Sequence, residues 1–169
     1  KITEYVFEVL QNSNFSQEVH ETFLDIALGT GVLLVEEGDA IQPVKFKAIP
    51  LPQVCLTSGH DDKIDGVYRI RKMKLKELMF AYSKPIFNDK MAMDMEANPD
   101  KEIKIVESVY RDYSQTKEEK NMFCAIAEEY EHKIYEEEYK GQGSNPYIVY
   151  RWSKCAGEVY GRGPLQFAL

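Results

Sequence analysis

The sequence has no long apolar segment and few cysteines. No apolar run approaches the ~20 residues that a transmembrane helix needs, and the first residues show no signal-peptide pattern. The three cysteines, Cys55, Cys124 and Cys155, are odd in number, widely spaced and in no zinc-site pattern. We therefore expect free thiols in a reducing compartment, and nothing indicates a membrane-spanning or secreted protein.

Basic residues are also scarce. The chain carries 21 Lys and Arg against 28 Asp and Glu, which gives a net charge of −7. Because binding to phosphates needs clustered Lys and Arg, this balance disfavours a surface that grips DNA, although DNA could still slide past it. With 44% hydrophobic and 29% charged residues, the composition is that of a globular protein. A chain of 169 residues can bury one sizeable core or two small ones.

The sequence lacks the motifs of common catalytic and phosphate-binding sites. His20, His60 and His132 lie far apart, and no serine stands in a Gly-x-Ser-x-Gly frame. The Gly-Thr-Gly stretch at 29–31 follows a helical pattern and lacks the Gly-Lys-Ser/Thr ending of a P-loop. The acidic stretch at 60–65 is typical of a hairpin turn rather than of a metal site. We predict no catalytic, cofactor-binding or metal-binding residues.

The first part of the chain has the periodicity of two helices followed by strands. Apolar residues recur at helical spacing over 3–10 and 15–28, and Asn14 with Gln17 has the spacing of a capping box. The residues predicted to face a core are Val19, Phe23, Ile26 and Ala27. Strands are predicted at 32–36, 44–48, 53–56 and 64–70. We expect these strands to form a β-meander packed against the second helix.

A helix and a linker follow the meander. The helix is predicted at 74–82 and the linker at 83–102, where Pro85 and Pro99 interrupt regular structure. The linker also holds three closely spaced methionines, which could pad a partner surface but more simply face a core. They are Met91, Met93 and Met95.

The second half is predicted to be an antiparallel sheet. Strands are expected at 103–113, 122–128, 131–139 and 147–153, with a charged hairpin tip at 117–120. The predicted fold class is α+β, with N-terminal helices packed on a β-meander and a second antiparallel β unit after them. The predicted domain organisation is a helix-plus-meander part at 1–82, a linker at 83–102, and an antiparallel β unit at 103–169 that ends in the start of a helix.

A run of glutamates accompanies the third strand of that unit. Its members are Glu128, Glu129, Glu131, Glu136, Glu137 and Glu138. An acidic wall would repel DNA phosphates over a screening length of ~8–10 Å, and a DNA conduit must not bind what passes through it. A solvated strand face explains the run equally well, so both interpretations stay open.

The final segment, residues 146–169, carries the most distinctive pattern. Aromatic and β-branched residues at 147–152 predict a strand, and a turn follows at 156–157. Gly161 and Gly163 free the backbone where the chain bends or approaches another chain closely. Pro164 suits the first turn of a helix. We interpret the segment as scaffolding that sets geometry and carries out no reaction.

This segment resembles the head-to-tail connector (portal) proteins of short-tailed bacteriophages. The resemblance also covers the upstream stretches 29–36, 46–54 and 64–69, in the family's order, whereas 83–144 carries no family motif. The motif residues of the final segment are Tyr147, Ile148, Val149, Arg151, Trp152, Gly157, Glu158, Tyr160, Gly161, Arg162, Gly163, Pro164, Ala168 and Leu169.

The resemblance implies a structural subunit without enzymatic activity or cofactor. Such proteins form a twelve-subunit ring at one capsid vertex, through which double-stranded DNA is packaged by a separate terminase motor and later ejected. Capsid, scaffold and tail adaptor proteins are the implied partners, DNA passes without sequence-specific binding, and the implied location is the virion, assembled in the host cytoplasm. The chain resembles an internal fragment, with 1–82 in the outer wing-like part, and alone is expected to be a monomer or small oligomer.

The resemblance also supplies candidates for subunit contact or for shaping such a contact. They are Tyr147, Arg151, Trp152, Gly157, Glu158, Tyr160, Gly161, Arg162, Gly163 and Pro164. Core packing and turn chemistry explain the same residues without a partner. The alternative function is a small α+β module that binds a peptide through an exposed sheet edge.

Overall fold

The computed structural model describes residues 1–114 and 119–167. Part of the predicted hairpin tip (Lys117 and Glu118) and two motif residues (Ala168 and Leu169) lie outside these ranges. The helices are α1 Ile2–Gln11, α2 Phe15–Ile26, α3 Leu78–Ala81, α4 Asp89–Ala97 and α5 Pro164–Phe167. The strands are β1 Thr30–Glu37, β2 Val44–Ala48, β3 Val54–Ser58, β4 Ile64–Lys74, β5 Glu102–Arg111, β6 Lys120–Ala127, β7 His132–Lys140 and β8 Tyr147–Arg151. The predicted α+β fold class is confirmed.

The described chain divides into two compact units. The first unit combines Lys1–Ile64 with Pro146–Leu169, and the second is Asp65–Asn145. These bounds differ from the three predicted segments because two strands pair elsewhere than expected. β8 pairs with β1 instead of joining the second sheet, and β4 pairs with β5, which was expected to belong to a separate unit.

The first unit contains a three-stranded antiparallel sheet in the order β2-β1-β8. β1 is central and buried, and its register places Val32 opposite Val149 and Leu34 opposite Lys47. The sheet is thus built from strands more than a hundred residues apart in sequence, which local periodicity does not reveal.

Helix α2 is attached to the edge strand β2 by polar side chains. Asn14 donates to the Phe46 carbonyl (2.7 Å) and accepts from the Phe46 amide (2.9 Å). The Glu18 carboxylate accepts from the Ala48 amide at 2.7 Å. The predicted capping box is therefore wrong: Asn14 stands at the N-cap without a capping hydrogen bond, because its side chain satisfies the unpaired edge of β2 instead.

The inward face of α2 also differs from the prediction. Thr22 is buried, and its hydroxyl donates to the Val19 carbonyl at 2.8 Å and accepts from the Tyr150 hydroxyl. Phe23, predicted to face the core, is exposed. A buried threonine is tolerated here because its hydroxyl is hydrogen-bonded, and the helix turns Phe23 outward as a consequence.

The second unit contains the antiparallel strands β4, β5, β6 and β7, which neighbour one another in chain order. Their core includes side chains from α3, α4 and a short 3-10 turn. The buried members are Leu75, Leu78, Tyr82, Met91, Ile103, Ile105, Ala125, Ala127, Tyr130 and Ile134. The segment predicted as a linker at 83–102 therefore contains a packed helix. Met91 and Met95 contact this core as favoured from the sequence, whereas Met93 is exposed.

Candidate functional site: a glycine joint

Three glycines bring the final segment into backbone contact with the loop that precedes β1. We call Gly29, Gly161 and Gly163 the glycine joint. A Cβ atom on Gly29 would overlap the Gly161 carbonyl oxygen, and a Cβ on Gly161 would overlap the Gly29 carbonyl oxygen. A Cβ on Gly163 would overlap the carbonyl oxygen of Ala27. Since these neighbours are backbone atoms, any side chain at these positions would separate the two segments.

Hydrogen bonds fasten the joint on both sides. The buried Gly161 amide donates to the Thr30 hydroxyl at 2.8 Å, and the Trp152 amide donates to the Gly29 carbonyl at 2.9 Å. The Leu165 amide at the start of α5 donates to the Ala27 carbonyl at 3.3 Å. The final segment therefore leaves the sheet along a fixed course.

Local sequence explains how the segment reaches the joint. Pairing of β8 with β1 sets Arg151 opposite Thr30, and the Arg151 guanidinium donates to the Val159 carbonyl at 3.2 Å. Gly157 adopts a left-handed backbone (φ +77°), which turns the chain back toward the sheet. An isolated antiparallel bridge between Ser153 and Arg162 then aligns the returning chain.

Tyr160 links the segment to β3 within the same unit. Its hydroxyl accepts from the Leu56 amide at 3.1 Å and lies 3.5 Å from the Val54 carbonyl. Next to it, Arg162 and Glu158 form a side-chain ion pair. The hydrogen bonds and charge of Arg162 lower the pKa of the Glu158 carboxyl, so Glu158 is ionised at neutral pH.

The structure places the ten candidate residues of the final segment both inside the unit and on its surface. Tyr147, Gly161 and Gly163 are buried and shape the unit from inside. Trp152 and Arg162 are exposed, Trp152 by 62%. Gly157, Tyr160 and Pro164 are also exposed, and Arg151 and Glu158 are half-buried. A role for any of them in subunit contact stays a prediction.

An open depression of about 480 Å³ lies beside the joint. It is lined by Leu56, Glu158, Val159, Tyr160, Gly161, Arg162 and Gln166. The two charged side chains among them, Glu158 and Arg162, neutralise each other. The depression therefore has the character of a binding surface with hydrogen-bonding groups rather than that of a catalytic site.

The glutamate run does not form a continuous acidic face. Glu128 and Glu129 lie in a 3-10 turn, and Glu131 has a left-handed backbone. Glu136 and Glu138 lie on β7, and Glu137 between them points to the opposite face because side chains alternate along a strand. The predicted strand start at 131 is therefore one residue early, and the run is split.

Lysines accompany four of these glutamates. Their nitrogen–oxygen distances are 3.4 Å for Lys104–Glu128, 3.2 Å for Lys101–Glu129, 2.7 Å for Lys133–Glu136 and 2.9 Å for Lys120–Glu138. The hydrogen bond from Lys120 is the main reason that the pKa of Glu138 is lowered. This geometry favours a solvated, ion-paired surface over a uniformly negative wall.

The second unit holds a buried ionic cluster that the sequence analysis missed. The Glu107 carboxylate accepts from the Tyr82 hydroxyl at 2.6 Å and lies 3.1 Å from Arg71 Nε and 3.8 Å from Arg69 Nη1. Burial, followed by the Glu107 charge, raises the pKa of Tyr82. The sequence contained a signal for a buried charge in β5, where Glu107 occupies the same alternating, inward-facing positions as Ile103, Ile105 and Val109. Because it is buried, the cluster acts on stability.

The structure also bears on metal binding and on membrane-spanning helices. Among residues 1–114 and 119–167, no group of three or more His, Cys, Asp and Glu side chains is placed to hold a metal ion. At the predicted hairpin turn, Asp61 pairs with Lys63 at 3.1 Å, and the Gly59 amide donates to the Lys63 carbonyl at 2.9 Å. No helix in the described ranges combines the length and apolarity required to cross a bilayer.

Comparison with known proteins gives one family. A family model described as bacteriophage head to tail connecting protein matches residues 1–169. No curated protein matches the chain.

Proposed function

We propose, from the premise that this chain belongs to the bacteriophage head-to-tail connecting protein family, that its full-length subunits close into a ring of twelve. The ring would stand at one capsid vertex, where DNA is packaged and ejected and the tail attaches. The family membership itself places the chain in a structural, head–tail connecting role in the virion. It also favours this role over a peptide-binding module.

The glycine joint is the observation that carries the proposal. A ring of identical subunits uses one heterologous contact repeated until it closes, so each subunit must present two different surfaces in a fixed relation. At Gly29, Gly161 and Gly163 the two backbones lie so close that an added Cβ would overlap the opposing segment, so only glycine permits this fit. Such a fit supports a role in which the final segment holds the surfaces of its unit in a fixed relation.

Charge supports passage of DNA without sequence-specific binding. The net charge of −7 disfavours tight contact with phosphates. The exposed glutamates remain candidates for a channel face, but their lysine partners weaken the repulsion that such a face would exert. We therefore base the proposal on the joint and not on Glu128, Glu129 or the glutamates of β7.

Head and tail components are the partners that the family implies. On the head side we propose capsid and scaffold proteins and a separate terminase motor, and on the tail side an adaptor protein. Trp152 is a candidate for such contacts because 62% of this large aromatic side chain is exposed. The chain itself would contribute no catalysis, in keeping with a family of structural connectors.

Electron microscopy of the purified full-length protein tests the ring. We expect closed rings with twelvefold symmetry, whereas light scattering of the 169-residue chain should give a monomer or small oligomer, because ring contacts are spread over the whole subunit. A full-length protein that remains monomeric would refute the ring. A stable ring of the 169-residue chain in dilute solution would refute the expectation for the chain alone.

A further inference from the structure

We propose that two exposed apolar surfaces with opposite charge bind each other between neighbouring copies of this chain. One is the acidic surface, formed by Ile2, Tyr5, Val6, Phe23, Leu24 and Leu28 on and after α1 and α2. The other is the basic surface, formed by Met79, Phe80 and Ile86 within residues 72–90. The inference rests on the proposed function, since it names the surfaces that a repeated subunit contact would use.

The acidic surface is an amphipathic helical face without a cover. Ile2 and Leu24 are 83% and 73% exposed, and none of the described residues of α1 is buried. Ile2, Tyr5 and Val6 have the i, i+3, i+4 spacing of a helix face that normally packs against other apolar groups. Several large exposed apolar side chains on two consecutive helices are typical of an interaction site.

Residues 1–28 surround this surface with negative charge. Lys1 is opposed by five acidic residues, so the net charge is 1 − 5 = −4 with histidine neutral. The acidic residues are Glu4, Glu8, Glu18, Glu21 and Asp25. Glu18 and Asp25 bind backbone amides of the same unit, and Glu4 lies 3.2 Å from the terminal ammonium of Lys1. Glu4, Glu8 and Glu21 are the exposed acidic residues that a partner would meet.

The basic surface has the complementary character. Phe80 is 92% exposed and Ile86 is 62% exposed, which is a large exposure for an aromatic and a β-branched side chain. Residues 72–90 contain five lysines against Glu77 and Asp89, so the net charge is 5 − 2 = +3 in a chain whose total is −7. The lysines are Lys72, Lys74, Lys76, Lys84 and Lys90.

The signs of these charges select the kind of contact. If either surface met its own copy, like charges would face each other, which is unfavourable. If the acidic surface of one copy meets the basic surface of the next, the charges attract around an apolar centre. Such a contact is heterologous, so every copy uses one surface for each neighbour, and repetition gives a ring where the rotation closes.

Charge reversal with mixing tests this directly. Variant H carries Glu4→Lys, Glu8→Lys and Glu21→Lys, which changes residues 1–28 from −4 to +2. Variant S carries Lys72→Glu, Lys84→Glu and Lys90→Glu, which changes residues 72–90 from +3 to −3. Lys74 and Lys76 are kept because they pair with Asp100. Self-association is measured by sedimentation velocity over rising protein concentration.

We expect the wild-type chain to self-associate weakly, and association to fall at least tenfold in H alone and in S alone. Mixing H with S should restore it, because reversed helices of H meet the reversed segment of S while the other two surfaces remain native. A control with the same charge change elsewhere (Glu37→Lys, Glu96→Lys and Glu131→Lys) should associate like wild type.

An uncharged pair of variants guards against misfolding. Phe80→Ser should weaken association without changing the circular dichroism spectrum, because its side chain is 92% exposed. Ile41→Ser, which replaces an 89% exposed residue that belongs to neither surface, should associate like wild type. Equal association of these two variants would contradict the apolar part of the contact.

Each remaining outcome overturns the inference. A wild-type chain that does not associate, reversed variants that associate like wild type, or an H and S mixture that stays dissociated would each exclude this contact. In those cases the surfaces serve another protein or another part of the connector. The proposed function is tested independently, because electron microscopy of the full-length protein shows whether a ring forms by any contact.

Discussion

At the scale of single residues, the joint depends on positions where a side chain does not fit. The sequence predicted a tight bend at Gly161 and Gly163, and the structure shows that both also lie against the backbone of residues 27–29. Its partner Gly29 was expected only to end a helix. The partner could not be predicted because it depends on which strand lies beside β1.

Thr30 provides a test of the joint at this scale. Thr30→Val removes the hydroxyl that accepts from the buried Gly161 amide, and an unpaired buried amide costs about 1–3 kcal/mol. We expect the free energy of unfolding, measured with urea, to fall by that amount. Thr30→Ser retains the hydroxyl and is the control; if both variants unfold at the same urea concentration, the hydrogen bond does not fasten the joint.

The prediction of which side chains are buried failed where a polar residue occupies an inward position that was expected to be apolar. Thr22 takes the inward position that we expected for Phe23, and Glu107 lies among the alternating apolar residues of β5. In both cases hydrogen-bonding partners from distant segments satisfy the polar atoms. Those partners are defined by the fold and are invisible in local periodicity.

At the scale of elements, periodicity located most strands and did not pair them. β1, β2 and β5 were predicted within a few residues of their observed bounds. β8 was expected beside β7 but pairs with β1. Alternation of side chains identifies which face of a strand is buried. It does not identify the strand that pairs with it when the chain contains several strands of similar length.

The buried ionic cluster of Glu107, Arg69 and Arg71, which links strands β4 and β5, gives a prediction at this scale. Glu107→Gln leaves Arg69 and Arg71 without their carboxylate, and removing one member of a buried pair costs about 3–5 kcal/mol. We expect a large decrease in the urea midpoint of the chain. Glu102→Gln, at the exposed start of the same strand, is the matched control and should change the midpoint little. Equal midpoints for the two variants would exclude a stabilising role for the cluster.

At the scale of the whole molecule, the final segment and the first strand belong to one unit while the intervening residues form another. The family resemblance of the sequence lay mainly in stretches of the first unit, and a family match over 1–169 confirms it. The α+β class followed from composition and periodicity. The division into units did not, because it depends on the pairing of β8 with β1.

The central claim is that this chain acts in head–tail connection through the geometry of the glycine joint. Complementation of a phage that lacks the gene tests it, with the full-length protein supplied as wild type, Gly161→Ala or Gly157→Ala. A Cβ at position 161 would overlap backbone, whereas the space around Gly157 is open within 4 Å. Gly157→Ala therefore controls for backbone strain, which its positive φ causes without any overlap.

The decisive measurement is the fraction of particles with DNA-filled heads and attached tails in electron micrographs. We predict that Gly161→Ala lowers this fraction strongly relative to wild type, since overpacking costs about 1–3 kcal/mol and displaces the final segment. Gly157→Ala should support more tailed particles than Gly161→Ala does. Wild-type numbers of filled, tailed particles with Gly161→Ala would contradict the account.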